Sequence, residues 1–207
     1  MYRRHLKHSR VKNLFKFVSA KMNTVFTVES SLEFDTCFHL EYSPAVKTFE
    51  AQPEGYYYIF EDRECPYTPD FRVVDERGNP YFIEVKPSAK VATPDFLQRF
   101  PIKQQKAIEL RSPLKLVTER QIRVDPILGN LKLLHRYSGF QSFTPLHIQL
   151  LGLVRQLGRV SLAKLSGSTG APPEEILATT LSLMARGLIH SDLTEREMGL
   201  SSVVWAI

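Results

Sequence analysis

Tyr67 to Lys86 reads YTPDFRVVDERGNPYFIEVK, and the chain is best understood outward from it. Phe71–Val74 and Tyr81–Val85 are short runs rich in valine and aromatic residues. Arg77-Gly78-Asn79-Pro80 between them is a turn signal, so the stretch predicts a β-hairpin. With the turn centred between Arg77 and Gly78, antiparallel pairing sets Asp70 opposite Val85, flanked diagonally by Glu84 and Lys86. Residues two apart on a strand share a face, so Glu84 and Lys86 project together beside the Val85 carbonyl. Two converging carboxylates repel unless a positive charge separates them, and a divalent cation with hard oxygen ligands is the usual answer. Mg2+ fits best, with Mn2+ expected to substitute. Asp70, Glu84 and the Val85 carbonyl are then the candidate metal ligands, and Lys86 orients or helps deprotonate the attacking water and offsets charge on a phosphate. That chemistry is phosphodiester hydrolysis. The same residues also have a purely structural reading, with Asp70 a turn residue after Pro69 and Glu84 and Lys86 a solvated strand edge. Spacing alone leaves both open.

The whole chain, 207 residues with 43% hydrophobic and 24% charged, has the composition of a soluble protein of one larger or two smaller domains. No run approaches the ~18 apolar residues of a membrane span, and the start lacks a secretory pattern, so a cytoplasmic chain is expected. Cys37 and Cys65 are too few for a disulfide framework, and the six histidines form no zinc-spaced pair, so buried thiols are expected. The net charge of +5 is unevenly spread. Residues 1–28 hold seven bases and no acid: Arg3, Arg4, Lys7, Arg10, Lys12, Lys16 and Lys21. Such an arm reads as a clamp on the backbone of double-stranded DNA, or as a solvated or amphipathic tail, since Leu14, Phe15, Phe17 and Val18 interleave with its bases.

Glu29 to Tyr42 has helical character and ends at Pro44. Ser30-x-x-Glu33 within it forms a capping box, in which the glutamate satisfies a backbone N–H at the helix start. Val46–Ala51 and Tyr56–Phe60 read as strands. Gln52 is an amide that hydrogen-bonds a carboxylate or a phosphate, or else satisfies a turn. A loop with Lys90, Pro94 and Pro101 leads to a helix over Ile102–Arg111, along which Lys103, Gln104 and Lys106 face either DNA or solvent. Leu114–Val117 reads as a strand and Asp125–Tyr137 as a further helix. Periodicity by itself indicates α/β or α+β.

Residues 138–143 read as a linker to a second rhythm. Leu146 to Leu157 carry a helix stripe, Ser161 caps a short helix, and Pro173-Glu174-Glu175 open a third helix that stops at Gly187. Leu188–Ser191 and Ser202–Ile207 complete a helix-turn-helix with wing strands. Residues 140–207 hold five bases and five acids, and two glutamates stand where a groove-reading helix would meet phosphate, so a protein contact is favoured over base reading.

Pro69-Asp70 followed by Glu84-Val85-Lys86 resembles the PD-(D/E)xK nuclease signature. With ESSLEFD at Glu29–Asp35, the run Phe49 to Pro53, and the YTPDF and IEVKP segments in that order, residues 10–137 resemble the TnsA family of transposon-end endonucleases. The resemblance implies a restriction-endonuclease-like αβββαβ core followed by a small winged-helix domain, divided as a basic arm 1–28, a nuclease domain 29–139 and a C-terminal domain 140–207. It also implies that Glu33 is a third metal carboxylate, with Glu29 one turn away as its rival, and that Gln52 lies just behind the metal ligands. A nick in the 5′, non-transferred strand at transposon ends is implied, with a TnsB-like transposase for the other strand and a TnsC-like ATPase docked on the C-terminal domain. The competing readings are another nuclease of the same signature, such as a restriction or junction-resolving enzyme, and a non-catalytic adaptor.

Overall fold

The computed structural model describes residues 13–139 and 142–206. The chain divides into two compact units between Arg123 and Val124.

The first unit is a mixed α/β fold around a four-stranded sheet. Its strands are β3 (Val46–Ala51), β6 (Phe71–Asp75), β7 (Pro80–Val85) and β8 (Leu114–Val117), in the order β3-β6-β7-β8. The first three run antiparallel, and β8 lies parallel to β7 because helix α3 (Pro94–Glu109) crosses between them. Helix α1 (Ser31–Tyr42) packs against β3 and β7 and brings Cys37, Phe38 and Leu40 into the core with Phe49, Phe71 and Val73. This is the expected helix, strands, helix, strand order, consistent with a restriction-endonuclease-like core. Tyr56–Phe60 is a strand (β4), but among the described residues it pairs only with β5 (Arg63–Tyr67), in a separate hairpin. Its two-residue turn holds Glu61 and Asp62 at φ 49° and 58°, as a type I′ turn demands. That hairpin and α3 enclose Tyr56, Tyr58, Tyr67, Phe82, Phe100, Ala107 and Leu114.

Helix α3 begins at Pro94 rather than Ile102 and carries Pro101 inside it. Pro101 and the residue four before it, Leu97, are both exposed, so water can take the carbonyl that proline leaves without a donor.

Residues 15–28 are part of the fold rather than a loose arm. Strands β1 (Phe15–Ser19) and β2 (Thr24–Val28) pair antiparallel, and Phe17 meets Phe34 and Phe38 of α1 edge-on. Lys21 fastens this hairpin to the end of α1 and the start of β3. Its ammonium donates to the carbonyls of Leu40 (3.0 Å), Ser43 (2.9 Å) and Val46 (2.9 Å), and its backbone N–H donates to Glu41 Oε1. The second Glu41 oxygen accepts from the Ser19 hydroxyl. Lys16 stays exposed on β1. Arg3, Arg4, Lys7, Arg10 and Lys12 lie outside the described residues.

The second unit contains α5 (Ile127–Arg136), α6 (Pro145–Leu157), α7 (Leu162–Thr169) and α8 (Pro173–Ala185). Short strands β9 (Val160–Ser161), β10 (His190–Ser191) and β11 (Val203–Trp205) form an antiparallel sheet in the order β10-β11-β9. Helix α5, expected from the sequence in the first domain, packs on α8 within this unit. Its inner face supplies Leu128, Leu131 and Leu134, and Asn130 donates to the Leu193 and Arg196 carbonyls while accepting from the Met198 N–H. Ser161 caps α7 by accepting from the Lys164 N–H. No helix among the described residues is long and apolar enough to cross a membrane. Cys37 is buried and Cys65 half-buried, both as free thiols.

Lys21→Ala should cost about 1–2 kcal/mol of the stability of the first unit in urea denaturation, by stranding three carbonyls. His147, buried at the start of α6, accepts the Thr144 N–H at Nδ1 (3.3 Å) and meets its hydroxyl at 2.8 Å, which requires a neutral ring. Burial, with Arg186 adding to it, holds its pKa below the usual histidine value. The unfolded chain therefore takes up a proton first, and stability should be lost as pH falls below about 6.5, down to the lower pKa of the folded state. Melting followed by Trp205 fluorescence should show this loss, and His147→Gln, which can still accept the Thr144 N–H, should flatten it.

Candidate active site

The β6–β7 hairpin is centred on Arg77, one half-step from the expected register. The pairs are Phe71↔Ile83, Arg72↔Phe82, Val73↔Tyr81 and Val74↔Pro80. Gly78 takes φ 86° and donates to the Asp75 carbonyl at 2.9 Å, while the Asp75 carboxylate accepts from the N–H groups of Arg77 and Asn79, making a three-residue loop. Continued beyond Phe71, the register brings Asp70 against Glu84 rather than Val85. Asp70 keeps both neighbours by other means: its N–H donates to the Ile83 carbonyl at 3.0 Å, and its Oδ2 accepts the Val85 N–H at 2.7 Å. The side chain thus replaces a rung of the ladder.

Lys86 lies against this pair. Its Nζ is 2.8 Å from Glu84 Oε1, 3.6 Å from Asp70 Oδ2 and 3.3 Å from the Val85 carbonyl oxygen. The Glu84 and Asp70 side chains are 5% and 11% exposed and that of Lys86 is 35% exposed, so the carboxylates are sunk and the lysine reaches the surface. Burial, reinforced by the Glu84 charge, pushes the Asp70 carboxyl well above the usual carboxylate range; the Lys86 charge and the Val85 N–H act the other way. For Lys86, burial works against the ammonium, but the Asp70 and Glu84 charges outweigh it and hold its pKa above the ordinary lysine value. The three atoms around Nζ are the three oxygens that the sequence nominated for a cation.

The other Glu84 oxygen is engaged by a residue that sequence reasoning missed. Tyr67 Oη donates to Glu84 Oε2 from the end of β5. Burial first, then the Glu84 charge, push the phenol pKa far up, so Tyr67 remains a donor. Tyr56 stacks edge-on against it, and the Lys103 ammonium sits 4.3 Å above its ring. Lys103 therefore turns inward from α3, where burial lowers its pKa and Glu84 partly restores it. Lys106 instead pairs with Glu109 at 2.9 Å, and Lys90 is exposed on the short helix α2 (Ser88–Val91).

Glu33 serves the helix start and also faces Gln52. Its Oε1 accepts from the Ser30 hydroxyl (2.8 Å), and its Oε2 accepts from the Glu29 N–H (3.0 Å) and from Gln52 Nε2 (3.3 Å). Its charge is felt at both Asp70 and Lys86. Among the described residues, however, no three His, Cys, Asp or Glu side chains are grouped to hold a metal ion. The donor set gathered here is two carboxylates and a backbone carbonyl around one positive charge. All are hard oxygens, which suits Mg2+ or Mn2+ rather than zinc.

Tyr67→Phe should leave a buried Glu84 oxygen without its donor and lower the stability of the first unit by about 1–3 kcal/mol. Urea denaturation at neutral pH measures this, and a change within 0.3 kcal/mol, roughly the additivity error for unrelated sites, would show that the hydrogen bond carries no weight.

Comparison with the curated proteins finds no match to the chain. Residues 43–119, which carry Gln52, Asp70, Glu84 and Lys86, match the family model described as TnsA-like endonuclease N terminal, so this segment is similar to the N-terminal domain of TnsA-like endonucleases, and the match supports a nuclease.

Proposed function

We propose that this chain is a Mg2+-dependent DNA endonuclease of a TnsA/TnsB/TnsC cut-and-paste transposition system. It hydrolyses the 5′, non-transferred strand at each transposon end, while a TnsB-like transposase cuts and joins the other strand. The observation that carries the reading is the contact of Lys86 with both Asp70 and Glu84 inside the TnsA-like segment. Asp70, Glu84 and the Val85 carbonyl would hold the metal, with Glu33 completing the set. Mg2+ bound there supplies positive charge for the phosphodiester and acidity for water.

The chain's own residues do the rest. Tyr67 anchors one oxygen of Glu84 and leaves the other facing Lys86. Lys86, partly exposed above the pair, orients the attacking water and offsets charge on the phosphate. The water oxygen bonds to phosphorus in line, the bond from phosphorus to the 3′ oxygen breaks, and that oxygen takes a proton. The products carry 3′-hydroxyl and 5′-phosphate.

The C-terminal unit is read as a winged helix, from its element order α6-β9-α7-α8-β10-β11 and its three-stranded sheet. Its third helix is poorly suited to a DNA groove. Residues Thr179 to Met184 of α8 are all buried, α5, α6 and α7 all pack on that helix, and its exposed first turn carries Glu174 and Glu175. A protein partner, a TnsC-like ATPase, suits such a surface better. The place of action is then the cytoplasm, on nucleoid DNA.

The test is strand-specific cleavage of end-labelled transposon-end DNA with Mg2+, with and without the transposase and ATPase. Wild type should nick the 5′ strand only with its partners, and Asp70→Asn should lower the rate by at least about 100-fold, the order of a group that acts on the reacting centre. Unchanged cutting by Asp70→Asn would displace the site. No cutting by wild type in any combination would favour the adaptor reading.

A further inference from the structure

Gln52 follows strand β3 at φ 50°. Four other non-glycine described residues share a positive φ, Asn23, Glu61, Asp62 and Arg111, and all four are exposed, whereas Gln52 is 7% exposed. A buried residue in this conformation, followed by Pro53, is where glycine is the least strained choice. A glutamine held there implies that its side chain is needed.

The residue lies between two of the acidic residues, meeting one through its backbone and the other through its side chain. Its backbone N–H donates to the Asp70 carbonyl at 2.8 Å, and its Nε2 donates to Glu33 Oε2 at 3.3 Å. The amide cannot be turned over without setting its oxygen against a carboxylate oxygen, so the orientation is determined. Its Oε1 is then left buried with no hydrogen-bond partner among the described residues. A buried amide oxygen without a donor is costly, and most such atoms in folded proteins find a partner.

We propose that Gln52 is a cation-binding residue of this site: Nε2 holds Glu33 toward Asp70, and Oε1 supplies a neutral oxygen ligand to the divalent cation. The inference rests on the metal-dependent nuclease reading and deepens it. An amide oxygen is a hard donor of the kind Mg2+ and Mn2+ accept, and it adds a ligand without adding to the repulsion among Glu33, Asp70 and Glu84. It also accounts for a site in which, among the described residues, no three carboxylates are grouped by themselves.

The test is Mn2+ binding to the full chain by titration calorimetry, without DNA, for wild type, Gln52→Gly, Gln52→Ala and Asp70→Asn. Thermal melts without metal accompany each titration. Gln52→Gly removes the side chain and relieves the backbone, so its melting temperature should equal or exceed that of wild type, while Mn2+ affinity falls about tenfold, the value of one good ligand contact of roughly 1.4 kcal/mol. Gln52→Ala should lose the same affinity at a lower melting temperature. Wild-type affinity in Gln52→Gly, with binding abolished in Asp70→Asn, would overturn the role of Gln52 and leave the metal site standing. A collapse of the Gln52→Gly melting temperature would make the residue structural and overturn the proposal. No Mn2+ binding by wild type would overturn the metal-site reading itself, and Gln52 with it.

Discussion

Two carboxylates buried side by side are unfavourable, and the contact of the Lys86 ammonium with both Asp70 and Glu84 is the interaction on which the first unit depends. Its strength comes from placement. Glu84 near the end of β7 and Lys86 just beyond it are two residues apart, and Asp70 reaches that strand through the Val85 N–H, so backbone geometry delivers all three to one point. Lys86 donates its own N–H to the Val117 carbonyl, which ties the lysine to the end of β8 as well.

Around that frame, polar residues on α1 are satisfied one by one. Asp35 pairs with Arg123 at 2.8 Å, Glu41 accepts from Ser19 and from the Lys21 backbone, and Glu33 caps the helix start. Helix α1 is buried on most sides, so each such group would be costly if left alone. The same contacts draw in distant chain segments: β1 and β2 by way of Glu41, and the end of the short helix α4 (Glu119–Ile122) by way of Asp35 and the Ile122 carbonyl, which His39 meets at 2.7 Å. Burial and polar satisfaction therefore act together in fixing where the nuclease-like core begins and ends.

The second unit follows a different logic. Its helix α8 is apolar along most of its length, and α5 covers a face of it that a groove-reading helix would need to expose. Glu174 and Glu175 sit in its first turn, where carboxylates favour the helix dipole and oppose phosphate alike. What this unit presents to solvent is a balanced surface rather than a cationic one.

The sequence by itself determined the hairpin, its three charged residues, the helix, strands, helix, strand order of the core, and the helical rhythm of the C-terminal unit. Local rules sufficed there: period-two alternation puts Glu84 and Lys86 on one face, and Gly78 marks the turn whatever surrounds it. Only the tertiary structure decided what depends on residues far apart in the chain. The register shifted because the Asp75 carboxylate organises the loop, Lys21 left the basic arm because three carbonyls between the end of α1 and the start of β3 converge on it, and α5 changed units because its leucines fit α8. Tyr67 was invisible as a site residue because an aromatic at a strand end reads as core, and nothing local says that its hydroxyl meets Glu84, seventeen residues away. The helix-start role of Glu33 could be read from Ser30-x-x-Glu33, but its nearness to Gln52 requires the fold that brings the start of α1 to the end of β3.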